Sequence, residues 1–343
     1  MSLTGCGAGE KDSYSTKVKT SKEKIVTSIQ FNSGEVVENA GTAQKKEASG
    51  SKSDAPNVWF INNANGIGWS AAFSTSMNTI FDTDEYNYTF VDGQGKFEIQ
   101  LQGLKDAIAD KADIVCFSPI QEDGYDEVLK KAKDAGVKIL LVDRKVSADS
   151  SLYEGWIGSN FDLEGENAAK WLVKEANGKK QNIVVLQGAP ESSAQLGRHD
   201  GFNRIIKTKK NFKILAEETA DFDKGKAKVL MKKYLDKYGD KIDVIVTQND
   251  TMCYGVMEVL EERNIDPNDY TIISFDGEAE AFKLMVDDAK LDLCVECNPL
   301  IGPNAEELVK KLLAGEKIEK ENYTDEGVFT ADMAAEELGN RQY

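Results

Sequence analysis

Histidine is almost missing from this chain: His199 is the only one in 343 residues. No motif supplies it with a Ser or Cys partner, and no GxSxG, HExxH or Walker A pattern occurs, so nucleophilic and metal-assisted hydrolysis lack their usual parts. Gly66-Ile-Gly68 lacks the third glycine of a dinucleotide fingerprint. Carboxylates are plentiful, but no pair suited to glycoside hydrolysis is marked by sequence, which makes a glycosidase the weakest alternative. Cysteine is also scarce: the five, at 6, 116, 253, 294 and 297, are an odd number in a chain too large to need disulfide staples. Cys294 and Cys297 form a CxxC, but the stretch reads as a strand, where residues three apart point to opposite faces. With no second CxxC or His pair to complete a zinc site, they read as ordinary strand residues, and neither a metal nor a cofactor is expected. No run of eighteen apolar residues is available to span a bilayer. Positive charge is in deficit, 42 basic against 59 acidic residues for a net −17; a phosphate backbone or anionic lipid surface would be repelled, which excludes nucleic acid as a partner.

What is present starts at Leu3-Thr-Gly-Cys6, which resembles the lipobox cut before a cysteine that becomes lipid-modified. Cys6 is therefore the expected lipidation site, and residues 1–56, rich in Ser, Lys, Gly, Glu and Thr, read as a flexible linker that cannot bury enough surface to fold alone. Membrane contact through that anchor alone is expected.

From Asn57 onward a short β-rich run, a turn and an amphipathic helix recur. Strands are predicted at 58–61, 88–91, 114–117 and 139–142, and, after Trp156-Ile-Gly158, at 183–186, 214–217, 244–246 and 272–275. In the helix near Lys96, Phe97, Leu101, Leu104 and Ile108 share one face. Further helices are predicted at 162–175, 195–207, 224–238 and 251–263. The pattern predicts an α/β chain of two doubly wound halves, with a ligand cleft outside the carboxyl ends of the strands.

The residues following each strand are polar, hydrogen-bonding and aromatic: Asn63 to Trp69, Asp92 to Gln94, Ser118, Asp143-Arg144, Gln187-Gly188, Asp221-Phe222, Gln248 to Asp250, and Asp276-Gly277. A sugar asks for this inventory, because its hydroxyls pair with carboxylates, carboxamides and the Arg fork while its C–H face packs on an aromatic ring. Asp92 and Asp250 read equally well as helix N-caps. Asp143 and Arg144 together lie where a topological switch would put a ligand. A structural salt bridge is the role expected of Arg198.

Ten ordered blocks now carry a likeness. Gly68-Trp69, Val91-Asp-Gly-Gln94, Val142-Asp-Arg144, Leu163-Glu-Gly165, Leu186-Gln-Gly188, Arg198 through Gly201-Phe202, Asp221-Phe222, Asn249-Asp250-x-Met252, Asp276-Gly277 and Glu296-x-x-Pro299 stand as in the pentose- and hexose-binding proteins of ABC importers. The chain resembles the galactofuranose-binding branch most. That resemblance implies two Rossmann-like lobes joined by three crossings, near 158–161, 295–299 and 320–324. The first lobe would hold 57–159 and 297–320, including the helix 300–314; the second would hold 160–296 and 321–343, including a strand near Val328. It also implies that Trp69 and Phe222 sandwich the ring, that Asp143 and Arg144 bind hydroxyls from one lobe and Asn249 and Asp276 from the other, and that Glu296 joins them at the hinge. One departure is Ser70, where the galactofuranose branch carries Arg directly after Gly-Trp; the wall it forms lacks that five-donor fork.

The expected function is capture of a monosaccharide, galactofuranose or another hexose or pentose, by an exported monomer that passes it to an ABC permease. The same fold serves sugar sensing at a chemoreceptor or membrane kinase, and the effector domain of repressors. The last would need a basic helix-turn-helix ahead of residue 57, for which the tail lacks the apolar periodicity.

Overall fold

Val58 to Ile61 are four consecutive apolar residues at the centre of a strand, and all are buried, because a parallel strand covered by helices on both faces has no solvent side. The computed structural model describes residues 54–286 and 290–343. Cys6 and nearly all of the predicted linker lie outside the described residues.

The first lobe is built from β1 (Asn57–Asn62), α1 (Trp69–Phe81), β2 (Asn87–Asp92), α2 (Phe97–Ala109), β3 (Ile114–Phe117), α3 (Asp126–Asp134), β4 (Lys138–Val142) and β5 (Gly155–Gly158). The second continues with α4 (Phe161–Ala176), β6 (Gln181–Gln187), α5 (Ser193–Ile206), β7 (Phe212–Thr219), α6 (Lys224–Tyr238), β8 (Val244–Thr247), α7 (Asp250–Glu262), β9 (Thr271–Asp276), α8 (Ala279–Val286) and β10 (Leu293–Glu296). The chain then returns through α9 (Gly302–Leu313), β11 (Glu321–Tyr323), β12 (Val328–Thr330) and α10 (Ala331–Glu337).

Each lobe holds one sheet. The first runs β2-β1-β3-β4-β5-β11 with every neighbouring pair parallel. The second runs β7-β6-β8-β9-β10-β12, parallel except for β12. Alternate strand residues feed opposite faces, as the period of two requires. Trp59 and Ile61 pack on α2 and α3, whereas Val58 and Phe60 pack on α1 and α9. Leu104 of the predicted α2 face is buried, with Phe97, Leu101 and Ile108 packed beside it.

Helix α9 joins the core of the first lobe through Ala305, Leu308, Val309 and Leu312, as the resemblance implied. The third crossing does not follow the sequence reading. Residues Glu321, Asn322 and Tyr323 pair with Trp156, Ile157 and Gly158 at the edge of the first sheet, so the first lobe extends through 323 and the chain crosses at 324–327. The polar Glu-Asn-Tyr run carries no strand pattern, so nothing in the sequence there marks a strand beyond 320. Likewise Val295 and Glu296, assigned to the second crossing, remain in β10.

Candidate functional site

Where the carboxyl ends of the two sheets face each other lies a cavity of about 250 Å³. That is below the roughly 300–1,000 Å³ of clefts for drug-sized ligands, which suits one sugar ring. Its lining includes Trp69, Ser70, Asp143, Arg144, Phe222, Asn249 and Asp276, seven residues that the sequence marked.

Backbone geometry aims several of these inward. Asp143, Asp221, Phe222 and Asp276 have positive φ, at 63°, 60°, 55° and 111°, conformations that cost energy in non-glycine residues and cluster at functional sites. Gly68, at φ 57° and ψ −126° immediately before α1, occupies a region open to glycine alone. It places Trp69 and Ser70 in the first helical turn. Trp69 stacks one face on Phe73 at 5.2 Å, and its indole N–H donates to the Cys297 carbonyl at 2.6 Å. On the other wall Phe222 carries the Arg144 guanidinium over its ring at 5.7 Å.

Asp143 and Arg144 form the polar floor of the first lobe. The switch in strand order falls between β1 and β3, one strand away from these residues at the end of β4. They reach it through Ser118, which accepts from Asn63 Nδ2 at 2.9 Å and donates to Asp143 Oδ2 at 3.1 Å. Arg144 Nη1 donates to the Ile120 carbonyl at 3.2 Å, and its Nε stands 3.7 Å from Asp143. Burial raises the Asp143 pKa against the pull of Arg144, and burial lowers that of Arg144 against the pull of Asp143. A pair short of solvation on both sides gains from a ligand that offers donors and acceptors without adding charge.

Opposite them, Arg198 is the hub of the second lobe. Its Nε donates to Glu164 Oε2 at 2.6 Å, its Nη2 to Asp276 Oδ1 at 3.0 Å, and its Nη1 to the Gln248 carbonyl. Burial opposes the charge on Arg198, but Glu164 and Asp276 outweigh it and hold the guanidinium protonated. The structural salt bridge expected of this residue is present, and Arg198 lines the cavity as well. Close helix packing sets it in place: a Cβ on Gly165 would lie 2.3 Å from the Arg198 carbonyl, and one on Gly201 2.0 Å from that of Asp162, so α4 and α5 meet only because both residues are glycine.

Other readings need adjustment. Asn249, not Asp250, caps α7, its Oδ1 accepting from Met252 N at 2.9 Å; the cap engages only the carbonyl, which leaves the amide nitrogen for the cavity. Asp92 closes a turn by accepting from Asn65 and Gln94 N–H groups at 2.9 and 2.8 Å, and caps no helix. Glu296 does not line the cavity. Its carboxylate takes Arg341 Nη1 at 2.7 Å and Gly327 N–H at 2.8 Å, because the chain end returns to cover it. His199 sits outside with Asp200 and Glu217. The four described cysteines are free and buried.

Sequence reasoning missed Phe161, Ala194, Asp223, Lys224, Thr251 and Cys297 among the lining residues. Asp223 caps α6 and Lys224 pairs with Glu258 at 2.8 Å, so both look like ordinary helix-start residues. The lobes also touch directly across the cleft: Trp69 N–H donates to Glu278 Oε1 at 2.8 Å, Glu122 N–H to the Glu191 carbonyl at 3.0 Å and Lys145 N–H to Ser193 Oγ at 2.9 Å.

Comparison with known proteins agrees with this geometry. Residues 58–317 match the model of the periplasmic binding protein domain. The galactofuranose-binding protein YtfQ of Escherichia coli is 32% identical over 280 residues, covering 80% of this chain and 88% of the relative. A Mycobacterium smegmatis protein solved with β-D-fucofuranose superposes with a TM-score of 0.80 at 33% identity, over 84% of this chain and 96% of that one. The binding component of the arabinose ABC transporter of Shewanella sp. ANA-3, bound to α- and β-L-arabinofuranose, gives 0.79 at 30% identity, over 83% and 95%. With this fold, this interlobe cavity and a match over most of its length, the chain belongs to the periplasmic binding protein domain family.

Proposed function

We propose that this chain captures a monosaccharide in its five-membered ring form between the two lobes and delivers it to an ABC importer, without chemical turnover. The observation that carries the reading is the cavity wall: Trp69 and Phe222 from opposite lobes, with Asp143 and Arg144 below and Asn249 and Asp276 across from them. Aromatic faces suit the C–H face of a sugar, and the buried, hydrogen-bonded carboxylates and guanidinium suit its hydroxyls. The names of the similar proteins, which specify galactofuranose, fucofuranose and arabinofuranose, support a furanose. Ser70, lining the cavity beside Trp69, is a small side chain where the galactofuranose branch carries Arg, and it is the position that sets which furanose fits. The lobes that close are 57–159 with 297–323, and 160–296 with 327–343.

Family membership supports an exported location. Leu3-Thr-Gly-Cys6 and the linker composition support a lipid anchor at Cys6, which would hold a monomer near its permease.

The test is a thermal-shift screen of pentoses and hexoses, including furanose-trapped glycosides. A ligand at a hundredfold over Kd stabilises the fold by about 2.7 kcal/mol, a shift easily read. A large response to one furanose supports the proposal and names the cargo; tight binding of an amino acid with no response to any sugar would sink it.

A further inference from the structure

The three crossings between the lobes bring together groups that lie far apart in sequence. Glu164 stands on the first turn of α4, just after the first crossing; Cys297 opens the second; Glu326 lies within the third. One donor atom from each of these three residues lies within 4.8 Å of the other two. Ser159, in the first crossing, adds a hydroxyl 3.2 Å from Cys297 Sγ that also bonds Glu326 Oε1. Glu326 Oε1 accepts in addition from Asn298 N–H at 3.0 Å and Thr324 Oγ1 at 2.8 Å.

One atom in this cluster is unanswered. Glu164 is 3% exposed, and while its Oε2 is held by Arg198, its Oε1 is buried with no hydrogen-bond partner among the described residues. A buried carboxylate oxygen with no donor of its own, on a residue clustered with a thiol and a second carboxylate, is an arrangement that calls for a positive charge.

We propose that Glu164, Cys297 and Glu326 form a binding site for a divalent cation of zinc's class at the hinge. A thiolate with two carboxylates suits Zn²⁺, which accepts sulfur and oxygen donors in tetrahedral geometry, better than Mg²⁺ or Ca²⁺, which take oxygen. Ser159 Oγ supplies the fourth position. Thiolate and two carboxylates carry three negative charges, two of them met by the ion, while Arg198 is shared between Glu164 and Asp276. Zn–S and Zn–O bonds of about 2.3 and 2.0–2.2 Å require the donors to draw inward, with Glu326 exchanging hydrogen bonds from Ser159, Asn298 and Thr324 for the ion. The CxxC pattern plays no part, since Cys294 turns the other way, its sulfur 3.5 Å from Asp250 Oδ1. Because each crossing gives a ligand, the ion would tie all three together and resist hinge bending.

The test uses the full chain stripped of metal and titrated with ZnCl₂ by calorimetry, beside Glu326→Gln and Cys297→Ser, with Co²⁺ as a spectroscopic substitute. One ion per chain is expected, held at least tenfold more weakly by Glu326→Gln, which keeps all five cysteines. A thiolate-to-cobalt charge-transfer band should accompany binding and vanish in Cys297→Ser. Equal affinity in the wild type and Glu326→Gln, uptake without a thiolate band, or no uptake would each overturn the site. Should Cys297→Ser fail to fold, the Glu326→Gln titration decides.

Discussion

The backbone N–H of Trp69 in the first lobe donates to the side chain of Glu278 in the second at 2.8 Å, and the other carboxylate oxygen of Glu278 accepts from Tyr254 OH at 2.8 Å. Glu278 therefore answers a helix-terminal N–H that nothing inside its own helix can satisfy, and does so only while the lobes are together. A Cβ on Gly68 would lie 2.4 Å from Glu278 Oε1, so the glycine before Trp69 serves the contact as well as the turn.

Removing this latch should weaken ligand binding without unfolding the protein. In Glu278→Ala the Trp69 N–H loses its partner in the closed form, whereas water answers it in the open form. Leaving a buried donor unpaired costs about 1–3 kcal/mol, which lowers sugar affinity roughly 5- to 150-fold. Calorimetric titration with the sugar from the screen reads this directly; a Kd within twofold of wild type would mean that the contact does not contribute to closure.

The Gly188→Ala variant should act on the site through Phe222. An added Cβ would fall 2.0–2.6 Å from three atoms of that ring, and the half-buried side chain is free to swing away from the wall it forms. Affinity for sugar should fall at least tenfold, with little change in the unliganded melting temperature. The effect should be absorbed by Phe222→Ala: in a double-mutant cycle the pair should match Phe222→Ala alone. Additive losses would show that Gly188 acts elsewhere.

How much of this was legible beforehand depended on distance along the chain. The strands were readable because central parallel strands are apolar throughout, as Ile114 to Phe117 and Val244 to Val246 are. The residues that follow each strand belong at the cleft whatever their contacts, and Trp69, Asp143, Phe222 and Asp276 are of this kind. Glu278 gave no such signal: it meets Trp69 across 209 positions, and no local pattern joins them. Glu296 shows the converse. Its place at the end of β10 resembles that of Asp276 at the end of β9, but Arg341 and Tyr343 from the chain end occupy its carboxylate, and no periodicity records where a terminus comes to rest.

Arg198 should prove the costliest polar residue to replace. Its side chain is 3% exposed and pairs with two carboxylates, Glu164 and Asp276. Arg198→Met removes the cation and leaves both acids buried, a loss on the order of 3–5 kcal/mol. Urea unfolding followed by circular dichroism should show a lower midpoint with an unchanged slope. Adding Glu164→Gln and Asp276→Asn should recover part of the loss, because the penalty lies in the unpaired charges; a triple variant no more stable than Arg198→Met would place it in packing instead.

Stability should also fall as pH rises from about 4 to 7, through Asp250. Its carboxylate is fully buried, accepts from Ser274 Oγ at 2.5 Å and from the Gly277 and Glu278 N–H groups at 2.9 and 2.8 Å, and lies beside the Cys294 thiol. Burial first, then the charge of Glu278, pushes its pKa up to about 7 from 3.8. The folded state therefore binds this proton more tightly than the unfolded chain does. The resulting stability is fully present below about pH 4 and is lost as pH climbs through about 7, up to roughly 4 kcal/mol at ~1.4 kcal/mol per unit. Carboxyls shifted the other way, such as Glu262, lowered to about 2 by Lys232 and Lys228, exert their effect below pH 4.5 and leave this window alone. Asp250→Asn fixes the neutral form while its carbonyl still accepts from Gly277 and Glu278. Urea unfolding at pH 4.5, 5.5, 6.5 and 7.5 should show wild type losing stability across the series and the variant losing less, with the slope that remains coming from other buried carboxyls such as Glu326, whose pKa burial pushes up to about 8. Parallel slopes would assign the pH dependence to groups other than Asp250.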